Sequence, residues 1–190
     1  MGELVLIRHG QTEWSATGRH TSYTDLPLTA DGERQARALV PTLAHRRFAA
    51  VLCSPRRRAV RTAELAGLAV TALDEDLVEW DYGRYEGITT PEIRRTAPDW
   101  DLWRDGCPGG ERPDQVGARL DRVLDRAAAA LDLGDVALVG HGHALRVGAA
   151  RWIGLPPAAG GRLALDTGTL SVLGHEHERQ VVHSWNAPAG

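Results

Sequence analysis

Three short apolar runs constrain this chain more than any other feature. Residues 3–8 (ELVLIR), 50–53 (AVLC) and 136–139 (VALV) each end in a polar turn carrying arginine, serine or histidine. Short continuous apolar runs bounded by turns read as strands buried on both faces, which requires helices above and below the sheet. The intervening sequence supplies them. Thr29 suits an N-cap, and residues 33–46 place Ala36, Leu39, Val40 and Leu43 at helical spacing, with Pro41 kinking or ending the first half. Ser54-Pro55 reads as an N-cap with proline at the first helical position, ahead of a helix over 56–66. Residues 113–131 carry a long helical pattern, and 144–153 a shorter one. Weaker strands are expected at 70–73 and, as a closing pair, at 169–173 and 180–185. Residues 74–110, with Trp80, Trp100 and Trp103, are the least regular stretch. The expected fold is α/β: a three-layer sandwich with a mostly parallel central sheet covered by helices on both faces, formed as a single domain over 1–190.

Composition excludes several other classes. A chain of 190 residues buries about 70% of its unfolded surface. It needs neither disulfides nor metals as staples. No apolar run approaches the roughly 18 residues of a membrane span, so no membrane partner is expected. The first ten residues show no basic region or cleavage site of a secretory signal. Cys53 and Cys107 are too few for a disulfide framework and lack a zinc spacing, which suggests a reducing cytoplasm. The net charge of −3 argues against a broad nucleic-acid surface. All 22 basic residues are arginine, which genomic base composition explains for most of them.

In open α/β sheets, ligands sit beyond the carboxyl ends of the strands. There the sequence places Arg8-His9-Gly10, then Ser54-Pro55-Arg56-Arg57-Arg58, then Gly140-His141-Gly142-His143. Each alone reads as a turn, a capped helix or half a metal site. All three in order, each at a strand end, point to chemistry on an anion. His175 and His177 resemble a metal pair, but period two puts them on one face of a late, exposed edge strand. No metal or cofactor site is expected.

These residues resemble the histidine phosphatase superfamily, in its phosphoglycerate mutase-like branch. The resemblance runs from residue 4 to about 173: Arg8 to Thr12; Asp25 to Thr29 with Gly32, Gln35 and Ala36; Ser54-Pro55, Arg58-Ala59 and Thr62 to Glu64; Glu79 with Tyr82-Gly83 and Glu86-Gly87; Gly109 to Glu111; and Val139 to Gly142. It implies that His9 is the nucleophile forming a phosphohistidine. Arg8, Arg58 and His141 would hold the transferred phosphoryl group. Glu79 would act as general acid, then base. The amide after His141 would open a helix N-terminus suited to an anion.

A finer resemblance is to bacterial acid phosphatases and sedoheptulose-bisphosphatases of the same superfamily. It rests on residues 14–22, 105–111 and 140–143. Gln11, Thr12, Ser15, Arg19, His20, Thr21, Ser22, Tyr82, Gly142 and His143 are the candidate substrate-binding residues. Ser15 stands where the family usually has asparagine. Thr21-Ser22 and Gly110-Glu111-Arg112 depart from the subgroup's Thr-Gly and Gly-Glu-Ser. The implied partner is a small phosphorylated metabolite, and a homodimer is left open. A mutase needs an enclosing lid. Only five residues follow Trp185, and the span from Glu79 to His141 is modest, which favours hydrolysis over mutase chemistry. A non-catalytic member is disfavoured because the whole catalytic set is present.

Overall fold

The computed structural model describes residues 2–188. Strand β1 (Leu4–Arg8) is followed by helices α1 (Glu13–Thr17), α2 (Ala30–Ala38) and α3 (Val40–Leu43), and then by β2 (Phe48–Cys53). Helix α4 (Arg57–Leu65) leads to the two-residue strand β3 (Ala72–Leu73). Short 3-10 turns at Glu75–Leu77 and Gly83–Tyr85, with α5 (Thr90–Thr96) and α6 (Leu102–Asp105), fill the irregular stretch. The long α7 (Pro113–Leu131), β4 (Asp135–Gly140) and α8 (Gly142–Trp152) come next, and β5 (Thr169–Glu176) and β6 (Arg179–Pro188) close the chain.

The six strands form one sheet in the order β3-β2-β4-β1-β5-β6. The first four run parallel; β5 pairs antiparallel with both β1 and β6. The fold is therefore the expected mixed α/β sheet, mostly parallel and flanked by helices. Alternation along the central strands shows why both faces must be covered. Leu4 and Leu6 of β1 enter one core with Val116, Leu120 and Val123 of α7 and Leu145 of α8. Val5 and Ile7 enter the other with Leu39, Ala59 and Ala63. Strand β4 divides in the same way, Val136 and Leu138 against Ala137 and Val139. Successive strand side chains point to opposite faces, so a strand apolar at every position serves two cores at once.

Local signals place most element starts. The Thr29 hydroxyl accepts the Gly32 N–H at 3.0 Å, capping α2 as expected. The helical stretch over 33–46 is broken near Pro41, as expected, into two helices that meet at Leu39. Pro41 sits in the first turn of α3, where a missing N–H is harmless. Strand β3 is shorter than 70–73. His175 lies on β5 with its ring 5.1 Å from that of Trp152, whereas His177 occupies the following turn with a φ of 56°. The two histidines therefore do not form the single-face pair that period two implied.

Parallel pairing aligns Arg8 with Gly140. The His9 N–H then donates to the Gly140 carbonyl at 3.0 Å, and the Ser54 N–H to that of Val139 at 2.9 Å. The polar turns after β1, β2 and β4 thus meet at one end of the sheet. Gly10 allows the first turn to settle there. A Cβ at that position would lie 2.2 Å from the Gly32 carbonyl oxygen, so the backbones of this turn and of α2 touch directly.

Candidate active site

His9 is buried at the carboxyl end of β1. Its Nδ1 lies 2.7 Å from the carbonyl oxygen of Gly10. A carbonyl only accepts, so Nδ1 carries the proton and Nε2 keeps its lone pair. Burial, followed by the charges of Arg58 and Arg8, holds the imidazole well below its ordinary pKa. The ring is therefore neutral at neutral pH, with the lone pair on Nε2.

Three further groups bear on His9. The His141 ring stands edge-on with its centroid 5.1 Å away. Its Nε2 is 2.7 Å from the Ser54 hydroxyl. Burial, then Arg58, keeps this histidine neutral as well. Arg58 rises from the first turn of α4 and is 1% exposed. Its terminal nitrogens donate to the carbonyls of Thr24, Thr21 and Ser22 at 3.2–3.3 Å. Arg8 donates to the Leu165 carbonyl. Buried Nε of Arg8, Nε of Arg58 and Nδ1 of His141 have no hydrogen-bond partner among the described residues. Orphaned buried donors are rare and call for an acceptor. Ser54 does not cap α4, which starts at Arg57 behind an Arg56 N-cap. Its hydroxyl is drawn instead to a histidine on a different loop.

Glu79 is buried and its carboxylate accepts three backbone N–H groups. Trp80 and Ala144 donate to Oε1, both at 2.9 Å, and His143 donates to Oε2 at 3.1 Å. Two amides in the first turn of α8, those of His143 and Ala144, are thus met by the protein's own carboxylate, and the amide directly after His141 is not one of them. The carboxylate satisfies first-turn donors that His141, the N-cap, leaves without a side-chain partner.

A cavity of about 250 Å³ is lined by Arg8, His9, Glu79, Tyr82, His143 and Arg146 among others, whereas Arg58 and His141 are buried and do not line it. Of the sequence-derived candidates, Thr12, Ser15, Arg19, His20, Thr21 and Gly142 also line it. Gln11 and Ser22 do not. Gln11 turns to α2, accepting from the Thr29 hydroxyl at 2.9 Å. Ser22 is tied to the Glu86 carboxylate by its N–H and hydroxyl. Both polar side chains satisfied local partners that spacing along the chain does not show. Thr12 and Ser15 reach the cavity while forming a capping box for α1, so their hydroxyls already serve the helix. The Tyr82 hydroxyl is 2.5 Å from Nδ1 of His143. Burial lowers His143, and lowers His20 to about 4.

Arg146 and Leu165 were not read from the sequence. Arg146 is a half-buried cation in the cavity wall, its guanidinium 4.6 Å over the Trp103 ring and its Nε and Nη2 held by the Gly160 and Gly161 carbonyls. Its position one turn after His143 on α8 was the available signal. Among the described residues, no group of three or more His, Cys, Asp or Glu side chains is placed to hold a metal ion, and no helix is long and apolar enough to cross a membrane.

Residues 4–188 match the family described as histidine phosphatase superfamily, branch 1. The chain belongs to the histidine phosphatase superfamily. An acid phosphatase of Mycobacterium tuberculosis is 46% identical over 176 residues, which cover 92% of this chain and 87% of that one. A sedoheptulose 1,7-bisphosphatase of Saccharomyces cerevisiae is 37% identical, with 80% and 67% covered. A solved structure of an open reading frame product of Mycobacterium tuberculosis superimposes with a TM-score of 0.96 at 42% identity, covering 100% of this chain and 99% of its own. This histidine phosphatase is accordingly an enzyme of the phosphoric monoester hydrolase type.

Proposed function

We propose that this phosphatase hydrolyses small phosphomonoesters, sugar phosphates or related metabolites, through a phosphohistidine on His9. The observation that carries the reading is a neutral His9 with a free Nε2, attended by three orphaned donors on Arg8, Arg58 and His141.

In the first half-reaction, Nε2 of His9 forms a bond to phosphorus as the ester P–O bond breaks. Glu79, entering this step as the carboxylic acid, gives its proton to the departing alkoxide oxygen and is left as the carboxylate. In the second half-reaction, water attacks phosphorus, the N–P bond breaks, and the carboxylate of Glu79 recovers a proton from that water. The phosphoryl oxygens carry negative charge throughout, and the orphaned donors are suited to receive them. With the Ser54 hydroxyl donating to its Nε2, a neutral His141 donates through Nδ1–H.

Arg19 and Arg146 add cations to the cavity beyond the reacting centre. A substrate with a second anionic group, such as a sugar bisphosphate, suits this lining. The relatives named for acid phosphatase and sedoheptulose 1,7-bisphosphatase activity support a hydrolytic reading over a mutase.

The test is isolation of an acid-labile phosphoenzyme from wild type and its loss in His9→Ala, alongside phosphate release over a panel of sugar phosphates. Full phosphatase activity in His9→Ala would sink the mechanism.

A further inference from the structure

Arg119 lies on α7, a helix that lends no residue to the cavity lining, yet it is 7% exposed and makes four hydrogen bonds. Its Nε and Nη2 grip Oε1 and Oε2 of Glu111 at 2.7 and 3.0 Å. Its Nη1 donates to the carbonyls of Asp76 and Val78 at 2.7 and 2.8 Å. Glu111 reaches the other side of the same loop. Its Oε2 accepts the Asp81 N–H at 2.8 Å, its own N–H donates to the Asp81 carbonyl at 2.9 Å, and its carbonyl accepts the Trp80 indole N–H at 3.0 Å. The one ion pair therefore pins the backbone before Glu79, at Asp76 and Val78, and after it, at Asp81, while the Glu111 carbonyl holds the Trp80 indole.

We infer that Arg119 and Glu111 are positioning residues that aim the Glu79 carboxyl at the leaving-group oxygen. The inference rests on the proton-transfer role given to Glu79 above. Neither residue lines the cavity that holds His9. A loop of this irregularity carries few backbone bonds of its own, and the planar guanidinium replaces them with a fixed fork. Proton transfer needs hydrogen-bond reach of the reacting oxygen. A small displacement of this loop therefore weakens the acid more than the nucleophile, which sits on a different strand.

Substrates of different leaving-group strength separate positioning from general support. An alkyl ester such as glycerol phosphate releases a poor leaving group that must take a proton from Glu79. p-Nitrophenyl phosphate releases a stable phenolate that needs none. The readout is the ratio of the two kcat/KM values, which reports the steps through P–O cleavage and excludes hydrolysis of the phosphoenzyme. Glu79→Gln is expected to lower the alkyl value about 100-fold more than the aryl value. Arg119→Met is expected to shift the ratio in the same direction by about tenfold, with Arg119→Lys partly restoring it. Arg122→Met, which removes a surface ion pair to Asp76, is expected to leave the ratio at the wild-type value. If Arg119→Met does not fold, Glu111→Gln carries the same test at conserved volume. Equal losses on both substrates in the Arg119 and Glu111 variants, beside a split in Glu79→Gln, would overturn the inference and leave the Glu79 reading intact. Absence of a split in Glu79→Gln would overturn the proton role itself.

Discussion

Arg58 and Arg119 are both buried arginines, and the protein treats them in opposite ways. Arg119 meets a carboxylate and two carbonyls, and all its nitrogens are matched. Arg58 has three carbonyls at 3.2–3.3 Å, Asp25 at 3.8 Å and an unmatched, buried Nε. Burial pulls the Arg58 guanidinium below its ordinary pKa. A charge held this way destabilises the folded protein until an anion arrives. The difference separates an arginine whose nitrogens are all matched from one left with an unmatched donor, which the proposed function assigns to the phosphoryl group.

The contrast makes graded predictions. Arg58→Gln is expected to cut kcat/KM about 10³-fold, as loss of an oxyanion donor does, with an unchanged or raised thermal midpoint. A large drop in stability would place Arg58 with Arg119 instead. Arg119→Met is expected to lower unfolding free energy by about 3 kcal/mol in urea titrations, because Glu111 is left without its partner. A neutral result would remove the structural half of the contrast.

Acid should act on the substrate end first. His9, His20, His141 and His143 all have folded pKa values below the ordinary 6.5, chiefly from burial. Between 6.5 and the folded values the unfolded chain takes up protons that the folded chain refuses. Stability is therefore complete above 6.5 and declines as pH falls, for His20 down to about 4. Thermal midpoints measured from neutral to mildly acid pH should decline in that window, and less steeply in His20→Gln. The acid limb of kcat/KM set by His9 should lie below 6.5 for the same reason. A limb at or above 6.5 would contradict a desolvated nucleophile. Ser54→Ala should produce a smaller effect, about a tenfold loss of kcat/KM, by freeing the His141 ring.

Much of this was legible in the sequence. The runs at 3–8, 50–53 and 136–139 are β1, β2 and β4 to within two residues, because strands buried on both faces leave no polar alternation to blur them. His9, Arg58 and His141 followed from motifs at strand ends, and Glu79 from the family resemblance. What escaped were pairings made across the fold. Ser54-Pro55 carries every local mark of a helix cap, yet the hydroxyl serves His141. Arg119 looks like one more arginine on a charged helix face, since the carbonyls it binds belong to a loop whose shape no periodicity encodes. Arg146 is one turn beyond a histidine already singled out, but only the fold of Gly160 and Gly161 over it brings it into the cavity wall.

The position of β4 has a consequence for when this protein becomes competent during synthesis. β4 inserts between β2 and β1, both of which leave the ribosome long before it. Until it arrives, Arg8 has no Gly140 beside it, the His9 N–H lacks its acceptor, and His141 does not exist. A chain that stops short of β4 therefore lacks both the acceptor of the His9 N–H and the ring that stands edge-on to His9. The geometry around His9 is thus completed by a single late insertion, that of β4 between β2 and β1.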